Sequence, residues 1–332
     1  MSTLYLHGIG HFHPENIITN QFLQDLDIGT NEEWILERVG ILTRHTLLPL
    51  EYIKETKNRD PKAAFGASLY SNAQMGAAAA RVALDRAGIK AEDIGLLISG
   101  SSSTEHISPA EASIVASELG IDVTCFDLCS SCTTFGMQIN FLNGMRPEAL
   151  PPFVLIVTTE GLTRRVDYSD RKSAVLFGDG SSAAVVSATV PARAAFTSCY
   201  YDTKPSEWEK VGISSAGYFY QDGNAVQGFA IRKTTESIRL LQKHYSLNGD
   251  RFIFIGHQAN MGMLQTVCER CAITEDNHWH NVEYFGNTGC SGAPSTLSQH
   301  WNDLQPGDNV AFSIVGAGLS WVHMILKMED AC

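Results

Sequence analysis

The chain has 332 residues, 44% of them apolar and 18% charged, with a formal net charge of −12. That length buries a large core without disulfides or a structural metal, and at one domain per ~150 residues it allows about two domains. The composition excludes a disordered, collagen-like or fibrous chain, and the acidic excess argues against a surface given over to nucleic acid or anionic lipid. The opening MSTLYLHGIGHFHPEN has no basic segment, and His7, Gly8, Gly10 and His11 break its apolar stretch. No apolar run approaches the ~18 residues of a membrane span. A cytoplasmic protein is therefore expected, with its eight cysteines reduced and mostly buried.

Helical and strand-like stretches then alternate. NAQMGAAAARVALDRAG (72–88) predicts an Ala-rich helix stopped by Gly88, and IGLLISG (94–100) a buried strand. SPAEASIVASELG (108–120) predicts a helix with Ser108 as N-cap, Pro109 at the first helical position, Glu111 completing a capping box and Gly120 as the stop. VTCFDL (123–128) is strand-like, FGMQINFLNGM (135–145) helical, and FVLIVTTE (153–160) and AAVVSATV (183–190) are strands. Pro191 opens a less patterned stretch, which puts a division near 190, between halves 1–190 and 191–332. The second half predicts a helix over about 231–245, a strand at 251–256, a helix at 260–272, and strands at 309–318 and 321–328. Such alternation predicts an α/β fold layered around a buried sheet.

Three stretches carry chemistry. In CFDLCSSCTTFG (125–136) a strand ends, a small turn follows, and a helix begins at or just after Cys132. A helix N-terminus favours thiolate over thiol, so Cys132 is a candidate nucleophile; a cysteine buried at a crowded strand end gives the same local pattern. In FIFIGHQAN (252–260) an apolar strand runs into Gly256, and His257 takes the corresponding position of the second half. EYFGNTGCSGAP (283–294) is a glycine-rich loop around Asn287, which reads equally as a turn asparagine. Together a Cys, a His and an Asn can activate a thiol and donate hydrogen bonds to developing negative charge.

Other signals are weaker. Cys129 and Cys132 form a C-x-x-C, as do Cys268 and Cys271, but neither pair sits in a redox fold or a zinc knuckle, so core thiols are the better account. GDGSSA (178–183) imitates a dinucleotide motif, but a strand follows where that motif needs a helix. Arg164, Arg165, Arg171 and Lys172 form one basic group, and Trp34, Arg38 and Arg44 an aromatic–basic set; together they suit a phosphorylated ligand with a stackable ring.

Taken in order, NEEWILERVGILTRH (31–45), FDLCSSCTTF (126–135), SDRKSAVLFGDGSSA (169–183), GHQAN (256–260), FGNTGCSGAPSTL (285–297) and VGAGLSW (315–321) resemble the β-ketoacyl-acyl-carrier-protein synthase III family of thiolase-fold condensing enzymes. The resemblance implies a thiolase-like duplicated αβαβα layered fold and a homodimer, with no metal and no cofactor. It implies that Cys132 accepts an acyl group, while His257 and Asn287 bind the carbonyl of the second thioester. Trp34, Arg38 and Arg171 would hold the nucleotide end of coenzyme A. The backbone N–H groups of Cys132 and Ala317 would form the oxyanion hole. Acyl-CoA and acyl carrier protein are the implied partners, with no nucleic acid.

Several positions depart from the family pattern. Thr133-Thr134 replaces the usual Ala-Gly, and Ala317 replaces a common Gly. Ser108 stands where housekeeping members often carry a bulky residue lining the partner's acyl pocket, which predicts an acyl group longer or wider than acetyl. Gly262 replaces a basic residue often used for carrier-protein docking, with Arg270 farther along as a substitute. The opening is also similar to condensing enzymes of the dialkylresorcinol and aryl-polyene type. A condensing enzyme is the expected function. Its expected setting is specialised lipid or polyketide biosynthesis; the alternatives are housekeeping fatty-acid initiation, an ester- or amide-forming acyltransferase of the same fold, a papain-like hydrolase and a non-catalytic binding subunit.

Overall fold

One mixed sheet of nine strands organises the computed structural model, which describes residues 3–215, 217–246 and 250–329. The strands in chain order are β1 (Leu4–Phe12), β2 (Asn16–Thr19), β3 (Thr43–Thr46), β4 (Leu96–Gly100), β5 (Thr124–Asp127), β6 (Val154–Glu160), β7 (Gly180–Ser187), β8 (Ala194–Thr203), β9 (Val211–Ile213), β10 (Phe219–Gln221), β11 (Phe252–Gly256), β12 (Asn309–Gly316) and β13 (Ser320–Met328). The large sheet runs β11-β12-β13-β8-β1-β7-β6-β4-β5, while β2/β3 and β9/β10 form separate ribbons.

The two sides of this sheet are wired alike. From β1 outward, two antiparallel steps (β7, β6) are followed by two parallel ones (β4, β5). From β8 outward, two antiparallel steps (β13, β12) lead to a parallel one (β11), and a single parallel bridge from Phe254 to His278 stands where β5 stands on the other side. β1 and β8 join the two sides. This is the duplicated α/β arrangement that the sequence resemblance implied.

Alternation along the strands sends successive side chains to opposite faces, and the cores follow. Leu97, Leu155 and Val157 face the helices Asn72–Ala87 and Glu111–Leu119. Ile98 and Ile156 face the central helices Thr134–Asn143 and Gly292–Gln299, whose other side meets Ile253, Phe312 and Met324. Helices Gly223–Tyr245 and Met261–Cys271 cover the far face through Ile238, Leu264 and Val267. The Ala-rich composition of 72–87 now has a cause: a Cβ at Gly10 of β1 would fall 2.1 Å from the Ala79 carbonyl, so helix and strand touch backbone to backbone.

Four expectations need correction. The helix predicted from Ser108 begins at Glu111, and Ser108 makes no cap; Asp127 of β5 accepts from the Glu111 and Ala112 amides at 2.8 Å each. A carboxylate accepting two amides at a helix start outcompetes a serine hydroxyl. The stretch after Pro191 is β8, a central strand, and the helix read from 231 starts at Gly223, capped by Asp222. Of the seven described cysteines Cys199, Cys271 and Cys290 are fully buried, Cys125, Cys132 and Cys268 are half-buried, and Cys129 is exposed; all seven are free, and Cys332 lies outside the described residues. Among the described residues no helix is long and apolar enough to cross a membrane.

Candidate active site

A cleft of about 900 Å³ is lined by Trp34, Arg38, Cys132, Arg171, His257, Asn287 and Ala317, so residues from widely separated segments meet in one place. Cys132 sits on a tight turn between β5 and the helix Thr134–Asn143. Ser131 before it is left-handed (φ 48°), an unusual conformation for a residue with a side chain. The two threonines that depart from the family pattern stitch this turn: Thr133 Oγ1 donates to the Ser130 carbonyl and Thr134 Oγ1 to the Ser131 carbonyl, both at 2.6 Å.

The turn at 316–318 packs directly on the nucleophile. A Cβ at Gly316 would lie 3.2 Å from the amide nitrogens of both Cys132 and Thr133. The left-handed position in that turn is Gly318 (φ 133°), not residue 317, which is why alanine is tolerated there. Ser320 Oγ bonds Ala317 O (3.0 Å) and Thr133 Oγ1 (2.9 Å), tying the two turns together. Thr133 stands out in the sequence only as a departure from the family pattern, and Ser320 not at all.

GHQAN divides its tasks residue by residue. Gly256 ends β11 where a Cβ would fall 2.3 Å from Leu264. His257 is anchored by its amide on Ser313 O (3.0 Å), and its buried Nδ1 has no hydrogen-bond partner. Gln258, fully buried, donates to Gly256 O and accepts from the Asn281 and Val282 amides. Asn260 caps the next helix through the Met263 amide and donates to Arg38 O (3.0 Å). Asn287 accepts the Gly289 amide on Oδ1 at 2.9 Å, which fixes its carboxamide and leaves the NH₂ as the donor.

Burial decides the electrostatics. The Cys132 thiol is pushed up to about 12, first by desolvation and then by Glu160 and Cys129. The expected thiolate is thus corrected: the helix begins two residues beyond the sulfur, and burial beside a carboxyl outweighs its dipole. Desolvation lowers His257 to about 4, so its ring is neutral near pH 7 and one of its nitrogens carries a hydrogen to donate.

At the mouth, Arg171 and Arg38 flank the Trp34 ring, 4.9 and 5.9 Å from its centroid. The remaining members of the two basic sets divide. Lys172 lines the cleft, whereas Arg44 is buried on Val175 O and Asn20, and Arg164 on Glu105 and Asn72. Both arginines are structural, because each guanidinium satisfies buried acceptors. Ser108 is exposed and does not line its own chain's cleft. Gly262 and Arg270 are exposed on their helix, and neither lines the cleft. Cys268 and Cys271 lie on that same helix, and no group of three potential ligands able to hold a metal occurs among the described residues.

The family model for 3-oxoacyl-[acyl-carrier-protein (ACP)] synthase III matches residues 126–205, and that for its C-terminal part matches 241–328. The β-ketoacyl-[acyl-carrier-protein] synthase III of Sulfurovum sp. (strain NBC37-1) is 29% identical over 340 residues, covering 96% of this chain and 94% of the relative. The crystal structure of 3-oxoacyl-[acyl-carrier-protein] synthase III from Aquifex aeolicus VF5 superposes with a TM-score of 0.85 at 25% identity, over 98% of this chain and 99% of that one. The priming β-ketosynthase of the R1128 polyketide biosynthetic pathway superposes at 0.82 with 26% identity, over 98% and 96%.

Proposed function

The chain belongs to the 3-oxoacyl-[acyl-carrier-protein] synthase III family of acyltransferases, and we propose that it joins an acyl group carried on Cys132 to a second acyl thioester by forming a C–C bond. The observation that carries this reading is the single cleft in which Cys132, His257 and Asn287 meet behind the Trp34–Arg171 mouth. Cys132 sulfur attacks the donor's thioester carbonyl, the bond to the departing thiol breaks, and the thiol proton ends on that leaving group. The Cys132 and Ala317 amides hold the oxyanion. A malonyl unit then loses CO₂, leaving the C–C bonding pair behind as the enolate, or a β-ketoacyl unit loses its α-proton to solvent water. The resulting enolate is held by the His257 ring N–H and the Asn287 amide; its carbon attacks the acyl-cysteine carbonyl, the C–S bond breaks, and the Cys132 thiolate released takes up a proton from solvent. A neutral imidazole and a carboxamide suit this task because both donate without charge.

The donor is coenzyme A- or carrier-protein-bound, with Trp34, Arg38 and Arg171 holding the nucleotide end of coenzyme A. Residues 1–190 supply the nucleophile and 191–332 the His and Asn. The protein acts in the cytoplasm as a homodimer. Support for the dimer comes from β5, whose outer edge is unpaired at the end of the sheet beside exposed Phe126, Phe141 and Ile107. In such a dimer Ser108, next to Ile107, lines the partner's acyl pocket and leaves room for a chain longer than acetyl. Ser108, the Thr133-Thr134 pair and Gly262 favour specialised lipid or polyketide biosynthesis, of the dialkylresorcinol or aryl-polyene type. The names of the curated relatives favour the second reading, initiation of fatty-acid synthesis.

Product mass tests the proposal. Enzyme, an acyl-CoA panel and either malonyl- or β-ketoacyl-carrier protein should yield a carbon-chain product that is the sum of both units, less CO₂ for malonyl. Preference for acetyl-CoA with malonyl-carrier protein would favour the initiation reading, and an ester or amide product would refute C–C bond formation.

A further inference from the structure

Behind Cys132 lies a hydroxyl network that this chemistry leaves unused. Thr133 is fully buried and stands at the N-cap of the helix Thr134–Asn143, yet its hydroxyl caps nothing. An N-cap threonine ordinarily accepts an amide of the first turn. Here Oγ1 turns instead to the hairpin between β12 and β13 and meets the buried Ser320 Oγ at 2.9 Å. Its other contacts are Ser130 O (2.6 Å) and Ser130 Oγ (3.1 Å), and Ser130 Oγ meets Tyr201 OH of β8 at 2.7 Å. Each hydroxyl has one hydrogen to give. With the Thr133 hydrogen on Ser130 O, Ser320 donates to Thr133. With it on Ser320, Ser320 donates to Ala317 O (3.0 Å), and the Thr133 amide still serves Ser130 O (3.1 Å). Both arrangements contain the Thr133–Ser320 bond. Gly316 pairs with Ser320 across the hairpin, and a Cβ there would lie 3.2 Å from the Cys132 amide nitrogen, so the bond spans the two backbones that carry Cys132 and Ala317.

We propose that Thr133 and Ser320 are positioning residues: their hydroxyl bridge fixes the 316–318 turn against the nucleophile turn, so that the Cys132 and Ala317 amides stay aimed at one oxyanion. The proposal rests on Cys132 being the acyl acceptor. Neither Thr133 nor Ser320 lines the cleft, so the bridge acts on the rate of bond making and not on donor binding at the Trp34–Arg171 mouth. The alanine usual at position 133 in the family would leave Ser320 without this partner, which makes the bridge a feature of this chain. Removing either hydroxyl breaks the same bond, so the two losses count as one.

The test is single-turnover acyl loading, followed by intact mass after rapid quenching over a range of donor concentrations, with the best-loaded member of the acetyl- to dodecanoyl-CoA series as probe. Thr133→Val and Ser320→Ala should each lower the saturating rate roughly tenfold, the scale of a small misplacement at a reacting centre, with half-saturation unchanged within about twofold. The double variant should be no slower than the slower single one. Thr133→Ser and Ser320→Thr keep the hydroxyl and should recover most of the rate. Losses that multiply in the double variant, or a loss confined to half-saturation, would overturn the proposal. So would a saturating rate equal to wild type with only a lower thermal midpoint. Should Thr133→Val not fold, Ser320→Ala against Ser320→Thr makes the same comparison. Wild type that loads while the variants keep its rate overturns the proposal alone. Wild type that loads from neither coenzyme A nor carrier protein refutes the acyl-acceptor reading and the proposal with it.

Discussion

At Asn287 a single backbone bond sets the chemistry. Because the Gly289 amide occupies Oδ1, only the NH₂ can face the cleft, and Gly289 must be glycine, since its φ is 57° and a Cβ there would meet Glu160. Asn287→Asp keeps the acceptor but replaces the donor with an oxygen. Acyl loading should survive, while condensation should fall on the order of 10²–10³, the usual cost of losing one such donor; single-turnover chase of pre-loaded enzyme measures both steps. Cys132, His257 and Asn287 were legible because each sits in a short local motif. Ser320 and Glu160 were not, and Thr133 stood out only as a departure from the family pattern: Ser320 reaches Thr133 across 187 positions, and no local pattern signals such a pair. The ionisation of Cys132 was misread for the same reason, since the helix start is local but burial and Glu160 are not.

Among the elements, the helix Glu111–Leu119 shows how a long-range cap displaces a local one. Asp127→Ala removes both acceptors at its N-terminus and should cost about 1–2 kcal/mol in urea denaturation. Ser108→Ala, at the cap expected from sequence, should leave stability unchanged, because Ser108 makes no cap bond. Equal losses in the two variants would contradict this assignment. Strands with continuous apolar runs, such as β4, β6 and β11, were readable because both faces are buried. β8 was not: from Thr197 on it mixes exposed and buried positions, and Pro191 just before it suggested a break.

For the whole molecule, buried histidines set the pH response. His11, His257 and His278 are lowered to about 4 and His13 to about 3, from an ordinary 6.5, in each case mainly by desolvation. As pH falls from 6.5 toward 4 the unfolded chain takes up protons that the folded chain refuses, so stability is lost. Glu111, raised to about 8 by burial, acts oppositely: between 4.5 and 8 the folded chain holds its proton, and that contribution fades as pH rises. The histidines outnumber the raised carboxyls Glu111, Glu160 and Asp179. The thermal midpoint should therefore peak near neutrality and drop steadily below pH 6.5; a midpoint that rises on acidification would contradict the burial of these rings. At the same scale, light scattering should return twice the chain mass, and Phe126→Asp on the open β5 edge should return a monomer. A wild-type monomer would refute the dimer.

The most direct test of the central claim is the intact mass of the protein after incubation with acetyl- through dodecanoyl-CoA, for wild type and Cys132→Ala. Wild type should gain the mass of one acyl group, most completely with a chain longer than acetyl. Cys132→Ala should gain nothing and lose turnover by on the order of 10³ or more. Full loading or turnover in Cys132→Ala, or no adduct in wild type with donors on either coenzyme A or carrier protein, would contradict it.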